Sequence, residues 1–262
     1  MAFKSAAKKN VLPGRCVYGI NPVLEALRAR PDQVERLFLT DAPLASRGAE
    51  EILARAEEAC IRVETVARER LDKMAEGGVH QGVVAELRSF SYVELEDLIR
   101  IAGESGRPPL FVVLDGIQDP HNLGAIIRSA HALGAHGIIV PKDRAVPVTG
   151  TVSKASAGAI EHTPIARVTN ISRALEELKT SGVWVAAADP GGKADLWSAK
   201  LNGPLALVVG AEGEGVREGV LKHCDFRLRI PIEGNVASLN ASVSAALFLY
   251  EVVRQRSGSE RP

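Results

Sequence analysis

Three short stretches of this chain carry residues that can do chemistry: N-L-G-A-I-I-R at 122–128, G-A-E-G-E-G at 210–215 and S-L-N at 238–240. Their chemistry is mostly uncharged hydrogen bonding, with one arginine and two carboxylates set among glycines. Asn122 stands just before an apolar stripe at helical spacing (Leu123, Ile126, Ile127, Ala130, Leu133), where a helix N-cap belongs. Arg128 comes six residues later, nearly two turns along and, on this reading, close to the same side of the helix. A guanidinium there can grip a phosphate with two bonds, and the helix dipole adds to that pull. The glycine loop has a different bias. Gly210, Gly213 and Gly215 let backbone approach a ligand closely, but Glu212 and Glu214 would repel a polyphosphate. A ligand with cationic or neutral hydrogen-bonding parts fits better. In the third stretch, Ser238 and Asn240 flank a leucine behind Gly234 and Asn235, which is more capping chemistry than one helix start requires.

The elements around these stretches read as alternating strands and helices. From 109 onward the expected strands are P-L-F-V-V-L-D-G-I, H-G-I-I-V-P-K, V-W-V-A-A-A-D, P-L-A-L-V-V-G-A-E and D-F-R-L-R-I-P-I, separated by helical segments. That alternation predicts an α/β domain with a parallel sheet covered on both faces, and ligands in such sheets bind beyond the carboxyl ends of strands. All three polar stretches fall at such ends. Val243, Ala246, Leu247, Tyr250 and Val253 repeat as a core-facing stripe on the last helix. Residues 15–88 read as a smaller α/β unit, with Asn21 expected to cap its first helix ahead of Pro22. Residues 1–14 read as a basic flexible tail, and residues 89–108, containing one short amphipathic helix and closing in Gly, Ser and Pro, read as a linker.

The totals narrow the classes. Lysine plus arginine equals aspartate plus glutamate, 32 against 32, so no global field draws the chain to nucleic acid or membrane, although a local patch remains compatible with that balance. Apolar residues make up 46% of the 262, enough for a substantial core. Cys16, Cys60 and Cys224 have no paired spacing, and the six histidines form no ligand pattern, so neither a disulfide framework nor a metal is expected. Neither a dinucleotide fingerprint nor a Walker lysine is present, which argues against a dehydrogenase or a P-loop enzyme. No stretch is long and apolar enough to span a bilayer, and a cytoplasmic location is the expectation.

Taken together and in this order, the three stretches resemble the three motifs of the SpoU (TrmH-type) RNA ribose methyltransferases, over about residues 109–256. The first unit is similar to the substrate-binding domain, related to ribosomal protein L30e, found in many members. The resemblance implies a C-terminal domain with a deep trefoil knot (SPOUT-type) that holds S-adenosylmethionine, and a homodimer built through the terminal helix. It implies 2′-O-methylation of RNA, with closest likeness to the branch that modifies a guanosine of 23S ribosomal RNA. Transfer RNA or a ribosomal adenosine is the alternative substrate, and a non-catalytic RNA-binding protein the alternative class. By family correspondence, Asn122, Arg128, Glu212, Ser238 and Asn240 form the catalytic centre. Gly210, Ile230 and Leu239 present main-chain atoms to the cofactor, and Gly213 permits its close approach. An arginine is a poor base at physiological pH, so Arg128 is expected to bind the adjacent phosphate and orient the 2′-hydroxyl. Arg15, Arg28 and Arg30, as a set, are the candidate RNA-phosphate contacts of the first unit.

Overall fold

A computed structural model describes residues 15–41 and 47–258; the expected basic tail lies outside them. The chain divides into two compact units, residues 1–91 and 92–262.

In the first unit, strands β1 (Arg15–Tyr18), β2 (Val34–Thr40), β3 (Arg62–Val66) and β4 (Val83–Leu87) form one sheet in the order β1-β4-β2-β3. β4 runs antiparallel to β1 and β2, while β2 and β3 are parallel. Helices α1 (Ile20–Ala29) and α2 (Arg47–Glu58) bury Val23, Leu24, Leu27, Ile52 and Ala56 against one face. Helix α3 (Arg68–Met74) covers Phe38 and Val84 on the other with Leu71. Asn21 does not cap α1. The helix begins one residue earlier, and its N-cap is Gly19 at φ 93°, a left-handed conformation that suits glycine.

The second unit is a seven-stranded parallel sheet. Its strands are β5 (Leu110–Asp115), β6 (Gly137–Pro141), β7 (Ile165–Val168), β8 (Trp184–Ala188), β9 (Ala194–Asp195), β10 (Leu205–Gly210) and β11 (Phe226–Arg229). Their order is β7-β6-β5-β10-β8-β11-β9. Every residue of β5 and β10 is buried, as the unbroken apolar runs require of central strands. From β5 the chain moves outward to β6 and β7. From β10 it moves the opposite way, past β8 to β11. The carboxyl ends of these two neighbouring strands therefore part, which opens a crevice there.

Helices α4 (Leu95–Glu104), α7 (Ile171–Thr180) and α8 (Glu218–Leu221) pack on one face of this sheet. The segment expected as a linker is thus corrected: Leu95, Leu98 and Ala102 of α4 sit in the core with Phe111, Val113 and Ile139. The boundary falls at residue 91 instead. Helices α5 (Pro120–Ala132), α6 (Gly150–Ala155) and α9 (Ala241–Gly258) form a second group, in which α5 packs against both α6 and α9 and α9 lies on β10. β7 and β9 were not foreseen; each is short, four and two residues, and carries too little pattern to stand out.

The terminal helix has two apolar faces. Ala241, Ala245, Phe248, Leu249 and Val252 are buried, whereas Val243, Leu247 and Tyr250 are exposed at 46%, 41% and 62%. The stripe expected to face the core of its own chain therefore faces outward. Its far end is tied down at the amino ends of the central strands. Arg256 donates to the carbonyls of Pro108 (2.9 Å), Pro109 (3.1 Å) and Gly203 (2.7 Å). Gln255 donates to the Ala199 carbonyl and accepts from the Leu201 amide. Arg256→Ala leaves three carbonyls without their charged donor, and a loss of about 3 kcal/mol in unfolding free energy is expected, measured by urea denaturation. Arg256→Lys recovers only part of it, because a point charge cannot span three acceptors.

Candidate functional site

At the parted strand ends a side-chain hub forms around Asn240. Its Oδ1 accepts from the Ser242 amide (2.9 Å), the Val243 amide (3.3 Å) and the Ser242 hydroxyl (2.6 Å), capping α9. That fixes the direction of the amide, so Nδ2 faces the other way, donating to Asn122 Oδ1 at 2.9 Å and to Glu212 Oε1 in a short bond. Residues 122, 212 and 240, which come from three separate parts of the chain, are thereby joined. Asn122 is not the cap of its helix. Asp119 is, accepting from the His121 amide at 2.9 Å with Pro120 at the first position. Asn122 lies inside the first turn, nine-tenths buried, and its side chain is available to the hub.

A cavity of about 300 Å³ opens beside the hub, walled by residues 188–191 at the end of β8, residues 209–216 at the end of β10 and beyond, and the chain from 228 into α9. Gly210, Glu212, Gly213, Ile230, Ser238 and Leu239 all line it. Gly210 is crowded: a Cβ there would collide with the backbone of Gly215 and Val216. Gly213 is needed for its backbone conformation as well. Nothing lies near its missing Cβ, but its φ of 81° is left-handed. The walls are glycine backbone, apolar side chains and carboxylates, without a lysine or arginine to hold a phosphate. That donor set fits an adenosyl group carrying a cationic sulfonium.

A second cavity, of about 260 Å³, shares Ala211, Glu212, Glu214 and Gly215 with the first and is closed by Asn122, Arg144 and Arg217. Between the two cavities runs the glycine loop, and Asp115 holds it. Fully buried at the end of β5, the Asp115 carboxylate accepts from the Arg217 amide (2.9 Å), from Nε (2.8 Å) and from Nη2 (2.6 Å). This pairing raises the Arg217 pKa above its ordinary value. The loop is also pinched by the Gly215 amide, which donates to the Ala211 carbonyl at 2.8 Å. Neither Asp115 nor Arg217 stood out in the sequence. The one signal was an acid directly after five buried apolar residues, a position where a carboxylate must find a partner.

Two expectations about arginines need correction. Arg128 lines neither cavity; it is exposed and makes no hydrogen bond or ion pair among the described residues. Six residues of α-helix amount to roughly 600°, which leaves Arg128 about 120° around the helix from Asn122 rather than on the same side. In the first unit, Arg15 is buried, with its guanidinium 5.4 Å from the Phe90 ring centroid, and Arg30 lies 6.0 Å from the same ring. Arg28 is exposed but already bound to Glu25 and Glu51, each at 2.8 Å. They do not form an open basic patch. Asp115→Ala removes the loop's anchor while leaving Arg217 half-exposed, so a stability loss of about 2–4 kcal/mol is expected together with weaker binding of S-adenosylmethionine by calorimetry. Donor affinity equal to that of the parent chain would exclude a role for Asp115 in holding the loop.

The family model for the SpoU rRNA Methylase family matches residues 109–250, and that for RNA 2′-O ribose methyltransferase substrate binding matches residues 16–93. The chain is 46% identical to YacO of Bacillus subtilis over 241 residues, 92% of this chain and 96% of that one. It is 41% identical to the 23S rRNA (guanosine-2′-O-)-methyltransferase RlmB of Yersinia pestis over 242 residues, 92% and 97% of the two chains. Among solved structures it resembles the SpoU methyltransferase AviRb of Streptomyces viridochromogenes in complex with AdoMet. The TM-score is 0.77 and the identity 27%, over 93% of this chain and 90% of that one. The matched segments contain the hub, both cavities and the whole described part of the first unit from Cys16 onward: this chain belongs to the SpoU rRNA methylase family.

Proposed function

We propose that this protein transfers a methyl group from S-adenosylmethionine to the ribose 2′-oxygen of a guanosine in 23S ribosomal RNA. The observation that carries the proposal is the hub. Asn122, Glu212 and Asn240 are joined by side-chain bonds, with Glu212 in the wall common to two cavities and Asn122 lining the second, where donor and acceptor must meet. The likeness to RlmB over nearly the full length of both chains supports the guanosine of large-subunit RNA over transfer RNA.

S-adenosylmethionine supplies an electrophilic methyl carbon on a cationic sulfonium. In the larger cavity Gly210, Ile230 and Leu239 would hold it through main-chain groups, and the Glu212 and Glu214 carboxylates complement its positive charge. The protein's remaining task is to hold the 2′-oxygen in line and let its proton leave. Asn122 orients the hydroxyl with the amide hydrogens it has left, Asn240 holds Asn122 in place, Ser238 borders the donor, and Glu212 fixes the Asn240 amide. Arg128 stays charged and exposed, which suits a grip on the phosphate beside the target, with a phosphate oxygen or water taking the proton. Reading the donor pocket as part of a trefoil knot is supported by its construction from three distant strand-end loops. The exposed stripe of Val243, Leu247 and Tyr250 supports a homodimer through α9. No helix among the described residues is long and apolar enough to cross a membrane, which is compatible with a cytoplasmic site of action on ribosomal RNA.

With labelled donor and ribosomal RNA, the parent chain is expected to produce one site resistant to alkaline cleavage. Asn122→Ala and Arg128→Ala are each expected to lower kcat/KM on the order of 100-fold while donor affinity stays within a few-fold. Unchanged turnover in either variant removes that residue from the centre. For the dimer, sedimentation equilibrium should give twice the chain mass, and Leu247→Asp combined with Tyr250→Ser should give the single mass. A parent chain that sediments as a monomer at micromolar concentration contradicts the assembly.

A further inference from the structure

We infer that the second cavity seats the base of the target nucleotide and that Arg144 reads it as guanine; this rests on the methyltransferase reading above. The two cavities share the wall made by Ala211, Glu212, Glu214 and Gly215. A nucleotide whose 2′-oxygen meets the donor at that wall has its base one ribose away. The only space of nucleobase size adjoining the wall among the described cavities is the second one, and enzymes that modify one nucleotide commonly take it out of its stack into such a pocket.

The charges of this cavity decide which part of a nucleotide enters. Four carboxylates line it (Asp115, Asp119, Glu212, Glu214) against two guanidiniums, Arg144 and Arg217. Asp115 and Arg217 neutralise one another, leaving three carboxylates and Arg144. A phosphate is repelled by that balance, whereas a base rich in N–H donors is welcomed. Arg144 is exposed, holds a left-handed φ of 60° three residues past the end of β6 and makes no hydrogen bond or ion pair among the described residues. Asn122 has given its carbonyl oxygen to Asn240. Its amide hydrogens have no partner among the described residues, although the residue is nine-tenths buried.

Guanine satisfies both sets of groups. Its O6 and N7 acceptors lie side by side and match the arginine fork, and its N1–H and N2–H₂ donors are left for carboxylates. Adenine places an amino donor beside N7 and would set it against the guanidinium. Arg144 is thus a specificity-determining residue, on the opposite side of the glycine loop from the donor.

The test uses the full chain and a short RNA spanning the guanosine mapped as its target, beside the same RNA with adenosine there. The parent chain should prefer guanosine. In Arg144→Ala, kcat/KM on guanosine should fall on the order of 10- to 100-fold, adenosine should change little, and the preference should collapse. Donor affinity, read by calorimetry, should be unchanged. Arg144→Lys should also lose the preference, because an ammonium cannot bridge O6 and N7, and this milder variant decides the matter if the alanine variant fails to bind donor. An unaltered guanosine preference overturns the inference, and so does an equal loss on both RNAs, which would mark Arg144 as a phosphate contact. A parent chain that methylates no ribose brings down the functional reading as well; an active parent chain with an indifferent Arg144 brings down this inference alone.

Discussion

The side chain of Asn240 is the constraint on which the site depends. One amide group starts helix α9 through its oxygen and gathers Asn122 and Glu212 through its nitrogen. Because the oxygen is committed to the helix, the nitrogen has only one direction to point. The helix therefore aims the hub, and the hub in turn sets where the helix begins. At the other end, Arg256 binds carbonyls that precede β5 and β10. Helix α9 thus runs the length of the central strands and is fixed at both ends by side-chain bonds. A helix held this way cannot slide along the sheet without breaking one set or the other, and the site inherits that rigidity.

The glycine loop adds a second constraint of opposite kind. Its backbone must pass so close to Gly210 that no side chain is tolerated there, yet it projects two carboxylates outward. Such a loop has little packing of its own. Asp115 compensates from beneath, with three hydrogen bonds to one arginine at the far end of the loop. Removing a fully buried carboxylate from water is costly unless its acceptors are satisfied, and here they are. The loop is thus anchored from the strand next to its own, which also keeps the shared wall between the two cavities in place.

Much of this architecture was legible because buried strands and amphipathic helices leave strong patterns. V-E-R-L-F-L-T became β2 over the same seven residues, and P-L-F-V-V-L-D-G-I contained the fully buried β5. What escaped was decided by tertiary packing. Helix α4 was legible as a short amphipathic helix, but the glycine, serine and proline ending of its stretch imitates a linker, and what escaped was that three apolar residues bind it to the sheet. Helix α9 carries two apolar stripes, and periodicity cannot say which of them is inward. Phe248 and Leu249 took the core, leaving Leu247 and Tyr250 outside. At the site, the glycines and the polar side chains of the three stretches were visible as types, while their bonding was not. Asn122 and Asn240 both looked like caps; only Asn240 is one, and the bond between them spans 118 residues.

The distribution of charge explains how a chain of zero formal net charge can act on a polyanion. Had the crevice itself been basic, it would have drawn in phosphates in competition with the ribose that the hub is to hold. Its lining is instead rich in carboxylates, which favour a cationic donor and exclude the RNA backbone from the reacting centre. On the proposed reading the phosphates remain outside, where the exposed guanidinium of Arg128 is available, while sugar and base go in edge first. On that arrangement Arg128 need not enter either cavity to matter. Its position, about a third of a turn around α5 from Asn122, places an exposed charge and a buried amide on different sides of one rigid helix, and on the proposed reading gripping the strand outside and presenting the hydroxyl inside become a single act of docking.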